Sequence, residues 1–168
     1  MYFGLSEEQT QFQDYVKKYL SDNVSVDEIR KIANGDDSKL HDDITSGLMN
    51  LGLSGLLVPE NYGGLGGALL SAVSIAQGLG TGVGPISFAG SYVMAPIALN
   101  LGGSDAQKDK YLSKVASNEI KFGVGLSEYV AAREDSGIEM NKDIASGKAL
   151  FVIDGDGADF FILSDKGG

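Results

Sequence analysis

The sequence predicts an α+β chain, mainly helical to about residue 118 and built of strands beyond it. Two observations carry this reading. Apolar residues recur at three- and four-residue spacing through the first two-thirds of the chain, and at two-residue spacing after Asn118. Helices followed by strands, rather than alternating with them, mean α+β or two separate domains. The division is placed at 1–118 for the helical part and 119–168 for a partial β-domain.

Each element has its own signal. Phe12, Tyr15, Val16, Tyr19 and Leu20 share one helical face, and Ser6 with Gln9 forms a capping box, so a helix is expected over about 7–21. Ser25 and Glu28 repeat that start for a short helix carrying Ile29, Ile32 and Ala33. Residues 34–38 read as a loop. A third helix carries Ile44, Leu48 and Leu51 and stops at Gly52. Leu53 to Pro59 reads as extended and apolar, and Pro59 to Gly67 as a loop. Two buried helices are expected at 68–79 and about 92–101, with Pro96 in the first turn of the latter. Ser104 and Gln107 open another over about 105–117. Ile120, Phe122, Val124 and Leu126 then alternate with Lys121, Gly123, Gly125 and Ser127, the pattern of a half-buried strand. The runs 149–153 and 160–163 flank Asp154-Gly155-Asp156-Gly157 and read as a hairpin. A short strand is expected near Ile138. Three or four strands by Gly168 read as an interrupted β-domain with open edges.

Composition removes several function classes. The 168 residues include 23 Asp and Glu, 13 Lys and Arg, one His and no Cys. Disulfides, thiol nucleophiles and cysteine metal sites are therefore excluded, and a lone His41 cannot make a multi-histidine centre. A net charge of −10 argues against a nucleic-acid surface. The 44 residues from Asn61 to Ser104 carry no charge. Serines, Gln77, Thr81 and clustered glycines interrupt that run, so buried helices fit it better than membrane spans of about 20 apolar residues. The first residues show no basic head or long apolar segment, and a cytoplasmic protein is expected.

Glycine is abundant, 24 in all with 14 between Gly47 and Gly103. Gly63-Gly64-Leu65-Gly66-Gly67 precedes a helix, but its spacing matches neither the dinucleotide fingerprint nor the P-loop. Close backbone packing or left-handed turns explain it better. His41-Asp42-Asp43 reads as a solvated helix start. Taken residue by residue, the sequence identifies no catalytic acid, base or nucleophile and no metal site.

Two stretches taken together do more. Leu51-Gly52-Leu53 through Val58-Pro59-Glu60-Asn61-Tyr62-Gly63-Gly64-Leu65-Gly66 resembles the acyl-CoA dehydrogenase signature. Leu101-Gly102-Gly103-Ser104 to Lys110-Tyr111-Leu112, Ala116-Ser117-Asn118-Glu119 and Leu126-Ser127-Glu128 are similar to the same family's later segments, in order. The resemblance implies an N-terminal helical domain followed by strands of an incomplete β-barrel. It implies FAD as cofactor, an acyl-CoA thioester as substrate, an electron-transferring flavoprotein as partner, and a homo- or hetero-oligomer in the complete protein. It places Val124, Leu126 and Ser127 against the flavin on one strand, and Phe151 and Ile153 on the next. The helices within 68–101, with Ala76 and Ala95, are implied to wall the acyl pocket. Ile153 lacks the hydroxyl common at its position in the family, and Tyr129-Val130-Ala131-Ala132-Arg133 replaces a Gly-Ser-Asp turn that holds CoA. The family's catalytic carboxylate lies in a C-terminal part with no counterpart here, so this chain by itself is expected to be inactive. A non-catalytic partner subunit and an acyl-CoA oxidase-type relative are the alternative readings.

Overall fold

The computed structural model describes residues 4–126 and 137–165. Among the described residues, six α-helices come first: α1 (Glu7–Asn23), α2 (Val26–Ala33), α3 (Ser38–Met49), α4 (Leu69–Thr81), α5 (Ala95–Gly102) and α6 (Asp105–Ala116). Four short strands follow: β1 (Phe122–Gly125), β2 (Gly137–Asn141), β3 (Ile144–Lys148) and β4 (Phe160–Leu163).

The helix starts follow from capping chemistry. Ser6, Ser25 and Ser104 each accept the N–H of the residue three ahead, and Gln9, Glu28 and Gln107 each reach back to the serine N–H. Backbone contact from Ser25 holds the Glu28 carboxyl below the ordinary range. α1 lies along α4. Gln13 is buried between them and donates to Ser74 O at 3.0 Å. One core then runs from Val16 and Leu20 through Ile44, Leu48, Leu53, Ile75, Tyr92, Leu112 and Val115 to Phe122 and Val124 on β1.

Four expectations need correction. Leu53 to Pro59 is a chain of turns rather than extended. It pairs with no strand among the described residues, and Leu56 and Val58 instead donate to the carbonyls of Leu53 and Gly55. Leu53, Leu56, Leu57 and Val58 are all buried by this coiling. The helix expected at about 92–101 begins at Ala89, as a π-helix over Ala89–Met94 that passes into α5. Pro96 has no N–H for the carbonyl four residues back, which leaves the preceding turns to close by wider bonds.

Of the strand expected over 120–127, the described residues form Phe122–Gly125, covered on both faces. Gly123 and Gly125 lie against Phe161 and Leu163, so alternation in the sequence does not become alternation in exposure. The run 149–153 is not a strand, and it makes no hairpin with 160–163. Phe151 and Asp154 have positive φ, which ends the extended conformation on either side of Val152-Ile153. Ile153 pairs, antiparallel, with Val124, while β4 pairs parallel with β1 in the register Phe122↔Phe160. The strand expected near Ile138 is present as β2, antiparallel to β3.

Candidate functional site

The helical and strand parts meet at β1, where Val124 and Ile153, two of the residues singled out by resemblance, pair. Ser91, 1 % exposed, is the hinge pin. Its hydroxyl donates to Phe122 O at 2.9 Å and accepts the Phe122 N–H at 3.0 Å, so one π-helix side chain satisfies both main-chain groups of the first β1 residue. Tyr92, next along, is fully buried and donates its hydroxyl to Asn118 Oδ1. Burial first, and then the negative charges of Asp154 and Asp159, push the Tyr92 phenol up to about 12, so it stays a donor at neutral pH.

The same edge of β1 also receives the 151–154 segment, opposite the edge that pairs with β4. Val124 and Ile153 exchange two main-chain hydrogen bonds, of 2.9 and 2.8 Å. Asp154 then turns back to the π-helix, and its Oδ2 accepts the N–H groups of Gly90 at 2.7 Å and Ser91 at 3.2 Å. Two successive N–H groups converging on one oxygen form an anion-holding nest. A Cβ at Gly90 would stand 2.8 Å from Ile153 O and 3.0 Å from Asp154 Cβ, so only glycine admits this approach. Further along, Lys121 N–H donates to Asp159 Oδ2 at 2.9 Å, and the rings of Tyr111, Phe122 and Phe160 meet with centroids 5.1 to 5.7 Å apart.

Of the five residues assigned by resemblance, Val124 and Ile153 are brought together directly. Val124 is buried at 2 % exposure and Leu126 is half-buried against the core. Phe151 and Ile153 are the two that reach the surface, at 73 % and 41 % exposed. Ser127 lies outside the described residues. Sequence reasoning missed Gly90, Ser91 and Asp154. Asp154 was hidden in a motif that looks like a hairpin turn, and Ser91 in a charge-free run.

The glycine-rich loop is closed to ligands. The N–H groups of Gly63, Gly64, Leu65, Gly66 and Gly67 all donate to carbonyls of residues 55–60. None is left to cradle a phosphate. Gly64 sits where a side chain would overlap Val58. Among the described residues no group of three or more His, Asp or Glu converges as a metal site, and no helix is long and apolar enough to cross a membrane.

Capped helices joined to a few short strands, in part through Ser91, make a mixed helical and strand architecture. That architecture is shared with known proteins. The family profile described as acyl-CoA dehydrogenase, N-terminal domain, matches residues 6–119, and the chain belongs to that family. Isovaleryl-CoA dehydrogenase of Pongo abelii is 28 % identical over 171 residues, covering 97 % of this chain and 40 % of the relative. A chain in the structure reported for the electron transferring flavoprotein of Acidaminococcus fermentans superposes with a TM-score of 0.74 at 25 % identity, covering 99 % of this chain and 46 % of that one. An acyl-CoA dehydrogenase of Bacillus anthracis, solved in complex with FAD, superposes with a TM-score of 0.74 at 21 % identity, covering 95 % of this chain and 28 % of that one. This chain thus spans about 40 % of the length of the curated relatives it matches first.

Proposed function

We propose that this chain is the N-terminal helical portion and first strands of a flavin-dependent acyl-CoA dehydrogenase, with the segment Phe151–Ile153 lying against FAD. The observation that carries the reading is the chemistry this segment turns outward. In an antiparallel pair, the residues beside a doubly bonded one point their main-chain groups away from the partner strand. Val152 therefore directs its N–H and C=O outward, and neither has a partner among the described residues. The exposed Phe151 ring stands before them and the Ile153 side chain after them. A flavin is flat and apolar on its faces and hydrogen-bonds along its edge, so an aromatic ring, a free main-chain pair and an aliphatic side chain fit it. Val124, buried and paired with Ile153, supports the segment, and Leu126 follows just after that strand.

Bound FAD supplies a hydride acceptor for α,β-dehydrogenation of an acyl-CoA thioester. The chain's own part is to position that group and exclude water behind it with the β1 core. No residue here is assigned the base that takes the α-proton. An electron-transferring flavoprotein is the proposed acceptor of the electrons, and assembly into an oligomer is proposed for the complete protein. A cytoplasmic location is kept as part of the proposal. The test is titration of the longest form its gene encodes with FAD, followed by acyl-CoA-dependent dye reduction. Stoichiometric flavin uptake and turnover support the proposal, and absence of both overturns it. The second reading, a non-catalytic partner subunit, is favoured by Ile153, which offers no hydroxyl to the flavin. Flavin uptake only after mixing with a second dehydrogenase chain selects that reading.

A further inference from the structure

We infer that the groove between the end of α1, the start of α2 and the end of α4 is a binding site for an aliphatic monocarboxylate, whose charge is taken by Lys17 and whose chain lies between Val26 and Val83. The inference does not rest on the flavin reading. The groove holds about 380 Å³, on the scale of small-molecule sites of about 300–1,000 Å³ and too small to seat a protein surface. Leu20, buried at 1 % exposure, forms its floor with Val24 and Ile29. The end of α4 rests directly on that floor, because a Cβ at Gly82 would stand 2.6 Å from Leu20 Cδ1.

Two features point to a ligand of this chemistry. The first is charge. Among the described residues that line the groove, Lys17 alone is charged. Its ammonium donates to Gln13 Oε1 at 2.8 Å, a neutral partner, and makes no ion pair among the described residues. Acids on neighbouring turns are engaged elsewhere, Asp22 with Lys18, Asp27 with Arg30 and Glu28 with Ser25. A cation bordering an apolar trough complements an anionic head on an apolar chain. The second feature is Val83. α4 closes with Gly84 N–H donating to Leu79 O and Val83 N–H to Gly80 O. That pair of bonds puts the residue just past the cap in the left-handed region, where glycine is usual. Here the residue is a β-branched valine at φ +50°, a strained conformation. Its side chain is 60 % exposed, so it adds little to the core, and Val26 on the facing wall is 62 % exposed. An aliphatic chain laid between them covers both.

The experiment uses the longest form the gene encodes and decanoic acid carrying a diazirine at its far end. After photolysis, the labelled residues are read by peptide mass spectrometry, with melting temperatures measured alongside. Wild type is expected to take label between Lys17 and Ile29 and around Val83, displaced by excess decanoate and far less by decan-1-ol. K17M keeps the aliphatic stem without the charge, and should need about tenfold more probe for the same labelling, as loss of one charge-assisted hydrogen bond implies. V83G should label several-fold less while melting higher than wild type, since glycine takes this φ without strain. A purely structural Val83 would move melting and leave labelling unchanged. Label absent from both segments, labelling unchanged in K17M, or equal displacement by decan-1-ol overturns the inference.

Discussion

Thr45 is 6 % exposed, and its Oγ1 has no hydrogen-bond partner among the described residues. Valine has the same branched shape without the hydroxyl. T45V is expected to raise stability by about 1 kcal/mol, the cost of an unmet buried donor, read as a higher urea midpoint with unchanged slope. Tyr92 behaves in the opposite way, since its hydroxyl is partnered and its proton is held tightly. The folded state keeps that proton up to about 12, whereas an unperturbed tyrosine loses it near 10.0. The stabilisation is thus complete below the unfolded value and is lost as the pH rises through the folded one. Urea midpoints should fall between those two values, and fall less steeply in Y92F. At neutral pH, Y92F should cost about 1–2 kcal/mol by leaving Asn118 without its donor. No residue-level signal marked Tyr92 in the sequence, because a tyrosine at helical spacing among apolar neighbours looks like any core aromatic.

Elements defined by local chemistry were legible and those defined by distant partners were not. The three capping boxes were readable because serine and the glutamine or glutamate three residues on need only each other. Removing one such serine should cost about 1 kcal/mol, so S104A is expected to lower the urea midpoint while leaving β1 intact. By contrast, the parallel pairing of β1 with β4 depends on residues 38 positions apart, from Phe122 to Phe160. The Asp-Gly-Asp-Gly turn between the two apolar runs suggested a hairpin, but positive φ at Phe151 and Asp154 decided otherwise. Neither a phenylalanine nor a turn aspartate announces that conformation. The π-helix was similarly invisible, because its cue, Pro96, was already assigned to an ordinary first turn. The candidate site shares this split. Its strand residues are assigned by resemblance alone, whereas the contact of Asp154 with Gly90 and Ser91 joins residues more than 60 positions apart.

At the scale of the molecule, apolar surface is unevenly covered. Leu69, Leu70 and Val73 of α4 are about half exposed, as is Phe161 of β4. Ala76 continues the open face of α4, whereas Ala95 is fully buried in the core. The two alanines linked by resemblance to an acyl pocket therefore differ. A76F should stay within about 0.5 kcal/mol of wild type, and only it can report on acyl-chain preference in the longest form. A95F should overpack the core and cost about 1–3 kcal/mol or more, seen as a lower melting temperature. The 168-residue chain alone is expected to show no turnover of any acyl-CoA with a dye acceptor. The pairing of β1 with β4 also orders events in time. The helices, α1 against α4 included, have all their helical partners before β1 is made, but β1 must wait for its parallel partner to be synthesised. At about 5–20 residues per second, those 38 residues take roughly 2–8 s. During that interval the nascent chain holds its helices with β1 still unpaired at their border.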